Sequence, residues 1–81
     1  MMPMDVDGTY YHVTDDGVGT WETTGSARTN GLPCTWTRTT AAPATIASTI
    51  AIGKTNQTAR VTVRSGEYFV SYGCQPWNKV A

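Results

Sequence analysis

The sequence predicts an all-β domain, a small antiparallel β-sandwich or barrel of about six strands. Three observations point there. Thr is the most abundant residue, 15 of 81, and with Val, Tyr and Trp it favours pleated, half-buried strands. No segment carries the apolar period of an amphipathic helix. Gly and Pro punctuate the chain every several residues, leaving runs of strand length between turn signals.

The elements follow in order. Residues 1–7 read as a flexible N-terminal segment and a point of truncation, and residues 8–81 as one β domain. The first strand covers residues 8–13 and is closed by the Asp15-Asp16-Gly17 turn signal. The second covers 19–24, and a Gly/Ser/Asn-rich loop follows it to Gly31 and Pro33. The third covers 34–39, with Cys34, Trp36 and Arg38 on one face and Thr35, Thr37 and Thr39 on the other. After Pro43 the fourth covers 45–52, with Ile46, Ser48, Ile50 and Ile52 sharing a face, and residues 53–57 form a hairpin loop. The fifth covers 58–64, with Ala59, Val61 and Val63 inward. Ser65-Gly66 makes a tight turn into the sixth, 67–74, where Tyr68, Val70, Tyr72 and Cys74 share a face. Gln75-Pro76-Trp77 then leaves the sheet. Six strands at this spacing suit a sandwich or barrel. Its structural core is expected to hold Trp36, Ile50, Val61, Val63 and Val70.

Composition narrows the function. Six basic and six acidic side chains give zero net charge, which argues against nucleic-acid binding through phosphates and against polybasic attraction to a membrane. Leu, Ile, Val and Phe number only 12, so the eight aromatics must supply much of the core. The longest uncharged run, residues 39–53, is too short and too Thr-rich for a membrane span. Met1-Met2-Pro3-Met4 lacks the basic and apolar regions of an export signal. An exported form is therefore expected to be a fragment whose leader or anchor is missing; a complete cytoplasmic protein stays open as the opposite reading.

Cys34 and Cys74 lack C-x-x-C spacing, and His12 alone cannot complete a zinc site with them. One structural disulfide and two free buried thiols both fit. The thin core favours the disulfide, which would place the domain in an oxidising compartment.

No catalytic constellation stands out. His12 with Ser26, Ser48, Ser65 or Ser71 lacks a nucleophile motif. Asp15, Asp16, Glu22 and Glu67 offer carboxylates but no cleft to hold a glycan. Asp5-Val6-Asp7-Gly8 opens like a calcium loop and lacks its later ligands. Asn56-Gln57-Thr58 fits a glycosylation acceptor, which matters only in a eukaryotic secretory host. No catalytic residue, metal or cofactor is assigned. Eight aromatics exceed what so small a core can hide. Tyr11 and Trp21 are the candidates for an exposed binding patch.

The ordered set Gly8-Thr9-Tyr10, Gly19-Thr20-Trp21, Cys34-Thr35-Trp36-Thr37-Arg38, Val61-Thr62-Val63, Gly66-Glu67-Tyr68-Phe69 and Gly73-Cys74-Gln75-Pro76-Trp77 resembles a known domain. It is the small extracytoplasmic β domain of mycobacterial and other actinobacterial secreted proteins and lipoproteins, including phage- or prophage-encoded membrane-anchored members. The family pattern runs G-T-Y, P-G-T-Y, C-x-W-x-R, G-C-x-x-W. This chain departs from it at Gly17-Val18-Gly19 and carries no lipobox cysteine near its N-terminus. The resemblance implies a Cys34–Cys74 bridge, with Trp36 packed beside it, and a cell-envelope or secreted location, often behind a membrane anchor. It implies no enzymatic activity.

The reading is a non-catalytic extracytoplasmic cell-envelope domain that binds or self-assembles outside the membrane. Its partner would be an envelope glycan, lipid or protein, or another copy in a homo-oligomer. Nucleic acid is not expected, and membrane contact would come only through a missing anchor. The alternatives are a phage- or prophage-encoded anchored ectodomain acting on the host envelope or in superinfection exclusion, and a small cell-wall hydrolase.

Overall fold

A computed structural model describes residues 7–81. The expected flexible segment lies, but for Asp7, outside the described residues. Among the described residues seven strands form two antiparallel sheets. The strands are β1 (Tyr11–His12), β2 (Gly19–Thr23), β3 (Cys34–Thr39), β4 (Thr49–Thr55), β5 (Ala59–Val63), β6 (Tyr68–Tyr72) and β7 (Asn78–Lys79). One sheet has the order β1-β6-β3-β4 and the other β5-β2-β7.

Period-2 patterning builds the three-stranded sheet directly. Trp21 pairs with Val61 and Gly19 with Val63, so Trp21, Val61 and Val63 share the inner face, and all three are buried. Thr20, Glu22, Arg60 and Thr62 face water. In the four-stranded sheet, Trp36 pairs with Ser71 and Gly53, and Arg38 with Phe69 and Ala51. The inner face is therefore Cys34, Trp36, Arg38, Phe69 and Ser71, with Tyr11 opposite Phe69. Val13, Trp21, Cys34, Val61, Val63, Phe69 and Trp77 make one core between the sheets.

Aromatics fill that core in a chain. Trp36 stacks on Phe69 with ring centroids 6.4 Å apart, and Phe69 meets Trp77 edge-on at 5.1 Å. The Trp77 indole N–H donates to the Ser71 hydroxyl at 3.3 Å. Trp36 lies against β4 at Gly53, where a Cβ would come within 2.2 Å of the ring, so only glycine lets the indole pass. Cys34, fully buried, is bonded to Cys74, and Cys74 also bridges to Ser26. The disulfide thus ties the β2–β3 loop, the start of β3 and the chain after β6. It closes a separation of 40 residues, worth about 4 kcal/mol in the chain-entropy account.

Two expectations are corrected and a third is extended. The fourth strand starts later and runs through Gly53 to Thr55, because residues 45–48 form a turn closed by the Ser48 and Thr49 amides donating to the Thr45 carbonyl. Ile50, expected in the core, is 44% exposed; the inner face of β4 is Thr49, Ala51, Gly53 and Thr55, small side chains that leave room for Trp36. After Cys74 the chain leaves the β6 sheet as expected, but it goes on into an element the sequence reading lacks: Trp77 enters the core and β7 adds to β2 of the other sheet, with the Thr20 amide donating to the Ala81 carbonyl at 2.9 Å.

Candidate functional site

The outer faces of the two sheets differ in chemistry. On β2 and β5 of the three-stranded sheet the outward side chains are polar and paired, with the Thr20 and Thr62 hydroxyls 2.9 Å apart and Arg60 Nε donating to Glu22 at 2.7 Å; beside them, just past β7, Val80 is 45% exposed. This is an ordinary solvated sheet face.

The four-stranded sheet turns apolar and aromatic groups outward. Register fixes which ones. Val70 pairs with Thr37 and Thr37 with Ile52, so these three form a row across β6, β3 and β4. Tyr72, Thr35 and Lys54 form the next row. Tyr68 and His12 continue the face onto β1, their rings stacked with centroids 4.6 Å apart. Val70 is buried like the core residues, although it is not part of the cluster between the sheets. Ile52 is 71% exposed, Ile50 44% and Tyr72 43%. Tyr10, two residues before His12 and on the same face, accepts a hydrogen bond from the Ala44 amide at 2.9 Å, linking β1 to the β3–β4 loop. That loop carries Ile46, 99% exposed. The Thr39 hydroxyl anchors its base, 2.8 Å from the Ser48 hydroxyl. A single exposed isoleucine needs no explanation, but three on one hairpin, with an exposed tyrosine on the same sheet, make an apolar surface of unusual extent for so small a domain.

The residues singled out from sequence fall in different places. Trp21, expected at the surface, is buried: its indole N–H donates to the Gly17 carbonyl at 2.8 Å and its ring sits in the core. Tyr11 is half-buried and packs on that core, with its hydroxyl end lying over Gly17. The two residues bracket the same turn from inside. Val61 and Val63 are in the core, Trp36 is half-buried against it, and Val70 is buried under the outer face. Sequence reasoning did not single out Ile52, Tyr72 and Lys54 as surface residues. The alternation on β4 and β6 was visible, yet which face pointed inward depended on the pairing with β3.

The groups weighed for catalysis are separated by the same geometry. His12 lies outside the sheet on Tyr68, whereas Ser71 lies inside it against Trp77. Glu67 is buried and held by Arg38 through two bonds, 2.8 and 3.1 Å, while Glu22 is on the other sheet with Arg60. The Ser65 hydroxyl lies 3.3 Å from Asp15. Asp7, from the calcium-like tetrad, accepts the Gly73 amide with its carboxylate; Asp5 and Val6 lie outside the described residues. Arg38 and Glu67 close one end of the core as a two-point ion pair.

Its two antiparallel sheets around one disulfide make this a small disulfide-stapled β module in its class. The chain belongs to the Rv1352-like extracellular domain family, whose model matches residues 2–78. It is thus the small extracytoplasmic mycobacterial domain that its ordered motifs resemble. No curated protein and no solved structure matches it.

Proposed function

We propose that this domain is a non-catalytic binding module of the cell envelope, and that it docks through the outer face of its four-stranded sheet. The observation behind this reading is the exposure of Ile50, Ile52 and Tyr72 on one face, where the opposite sheet shows water mainly polar groups and a single exposed apolar side chain, Val80. Apolar surface left in water gives up about 25 cal/mol per Å² that a partner can recover. The flat rows of Ile, Thr and Tyr suit an extended envelope component, whether glycan, lipid or protein, better than a small ligand, which needs a concave site. Displayed from a membrane anchor, in a bacterial or a phage-encoded protein, the same face would act at the same surface.

The test is co-sedimentation of the oxidised protein with separated peptidoglycan, arabinogalactan, envelope lipid and envelope protein. One fraction should carry the protein down. The Tyr72→Ala/Ile52→Ser variant should stay in solution while keeping its circular dichroism spectrum. Pelleting of that variant at the wild-type level, or no pelleting with any fraction, would overturn the proposal.

A further inference from the structure

The two sheets present four strand edges, and three of them are protected. β1 and β7 are two residues long, too short to template another strand. β5 carries Arg60 at its second position, a side chain two-thirds exposed, with Arg64 just beyond its end. The fourth edge is β4, the longest strand at seven residues. Among the described residues it pairs with β3 alone. It contains no proline and no acidic group, and its one charge, Lys54, sits next to its end. The uncharged run of residues 39–53 covers the hairpin loop and the first five residues of this edge.

We infer that the free edge of β4 pairs antiparallel with the same edge of a second copy, joining two four-stranded sheets into one of eight strands. The backbone is what selects a strand partner here. An edge of seven residues exposes a row of N–H and C=O groups that another strand satisfies and a lipid surface does not. Self-pairing is favoured by the side chains. With Ile52 on the two-fold axis the whole strand overlaps: Thr49 lies opposite the partner's Thr55, Ile50 opposite the partner's Lys54, and Ala51 opposite the partner's Gly53. Ile52 then meets its own copy on the outer face, with Ile50 as its diagonal neighbour. No like charges face each other, and the zero net charge leaves little long-range repulsion between copies. The arrangement is isologous, so it closes as a dimer. It also merges the two outer faces into one continuous surface, a consequence independent of what that surface binds.

The strip is about 24 Å long at the rise of an antiparallel strand. One strand with its side chains puts the buried area at the small end of specific interfaces, below about 1,200 Å² in total, the class of weak encounters for which dissociation is sought between about 10 µM and about 1 mM. Sedimentation velocity of the oxidised protein, from about 10 µM to about 1 mM, spans that range. A reversible monomer–dimer equilibrium is expected. Ile52→Lys, which sets two ammonium groups against each other across the axis, should weaken it at least tenfold and leave the melting temperature unchanged. Ile46→Lys, in the loop and off the strand, should leave it intact. Ile52→Cys should form a disulfide-linked dimer, with the new bond mapped by peptide analysis, whereas Ile50→Cys should not. A wild-type protein that stays monomeric at the top concentration, or a dimer indifferent to Ile52→Lys, overturns the inference. A monomer that still pellets with an envelope fraction would refute the edge pairing alone, and a dimer that pellets with none would refute the docking face alone.

Discussion

Replacing Trp21 separates a structural role from a binding role, and its cost can be worked from the structure. The side chain is 9% exposed and shares the core with Val61 and Val63. Truncating a buried Trp to Ala costs about 3–5 kcal/mol when the surroundings cannot collapse into the space. The lost indole N–H also leaves the Gly17 carbonyl without its 2.8 Å donor, which adds about 1 kcal/mol. A domain of this size has a total stability of about 5 kcal/mol, so Trp21→Ala is expected to be largely unfolded at room temperature. Trp21→Phe keeps most of the volume and loses the hydrogen bond. It should cost about 1–2 kcal/mol, a drop of roughly 4–16 °C in melting temperature for a chain of this length. Thermal unfolding followed by near-ultraviolet circular dichroism, with the disulfide intact, reads both. A Trp21→Ala protein melting within a few degrees of wild type would falsify the placement of this ring in the core. The same numbers disqualify Trp21→Ala as a probe of binding, because it would lose a ligand simply by unfolding. Tyr72 and Ile52 are the informative positions.

Two further predictions follow from the core. Replacing both Cys34 and Cys74 with Ala should cost about 4 kcal/mol, close to the whole stability, so denaturant titration should find the variant mostly unfolded without denaturant. Arg38→Ala strands the Glu67 carboxylate, 7% exposed, and should cost about 3 kcal/mol or more, whereas Arg38→Ala/Glu67→Gln should recover part of that loss; a double-mutant cycle by chemical denaturation that finds no coupling would refute the pairing.

The alternation of Val61 and Val63 in β5, and the Thr-rich run of β3, were legible because strict period-2 patterning with short turns leaves few other structures. The Cys34–Cys74 link and the envelope location came through the ordered motifs. What the sequence could not show was direction. Residues 46, 50 and 52 alternate as an inward stripe should, and in a chain with a Leu/Ile/Val core they would point inward. Here the inward volume beside β4 is taken by the Trp36 indole, whose passage requires Gly53 and favours the small Ala51 and Thr55 around it. The isoleucines are therefore turned out. Trp21 erred in the opposite sense for the same reason: the count of aromatics rightly implied that some reach the surface, but the surface one is Tyr72, and Trp21 and Trp77 are core.

That inversion bears on function. A domain short of aliphatic residues has every reason to bury the three isoleucines it owns, since each buried side chain of that size is worth about 1.5–3 kcal/mol. Instead it fills its core with rings held by a disulfide and places Ile46, Ile50 and Ile52 on one hairpin in water. Burial in the fold does not account for such an arrangement, because these three side chains are largely in water, and a charge among them would blunt the edge of β4. The apolar hairpin is costly to leave bare, and the one charge on β4, Lys54, lies next to the end of the strand. The residues to substitute first are consequently those the fold can spare.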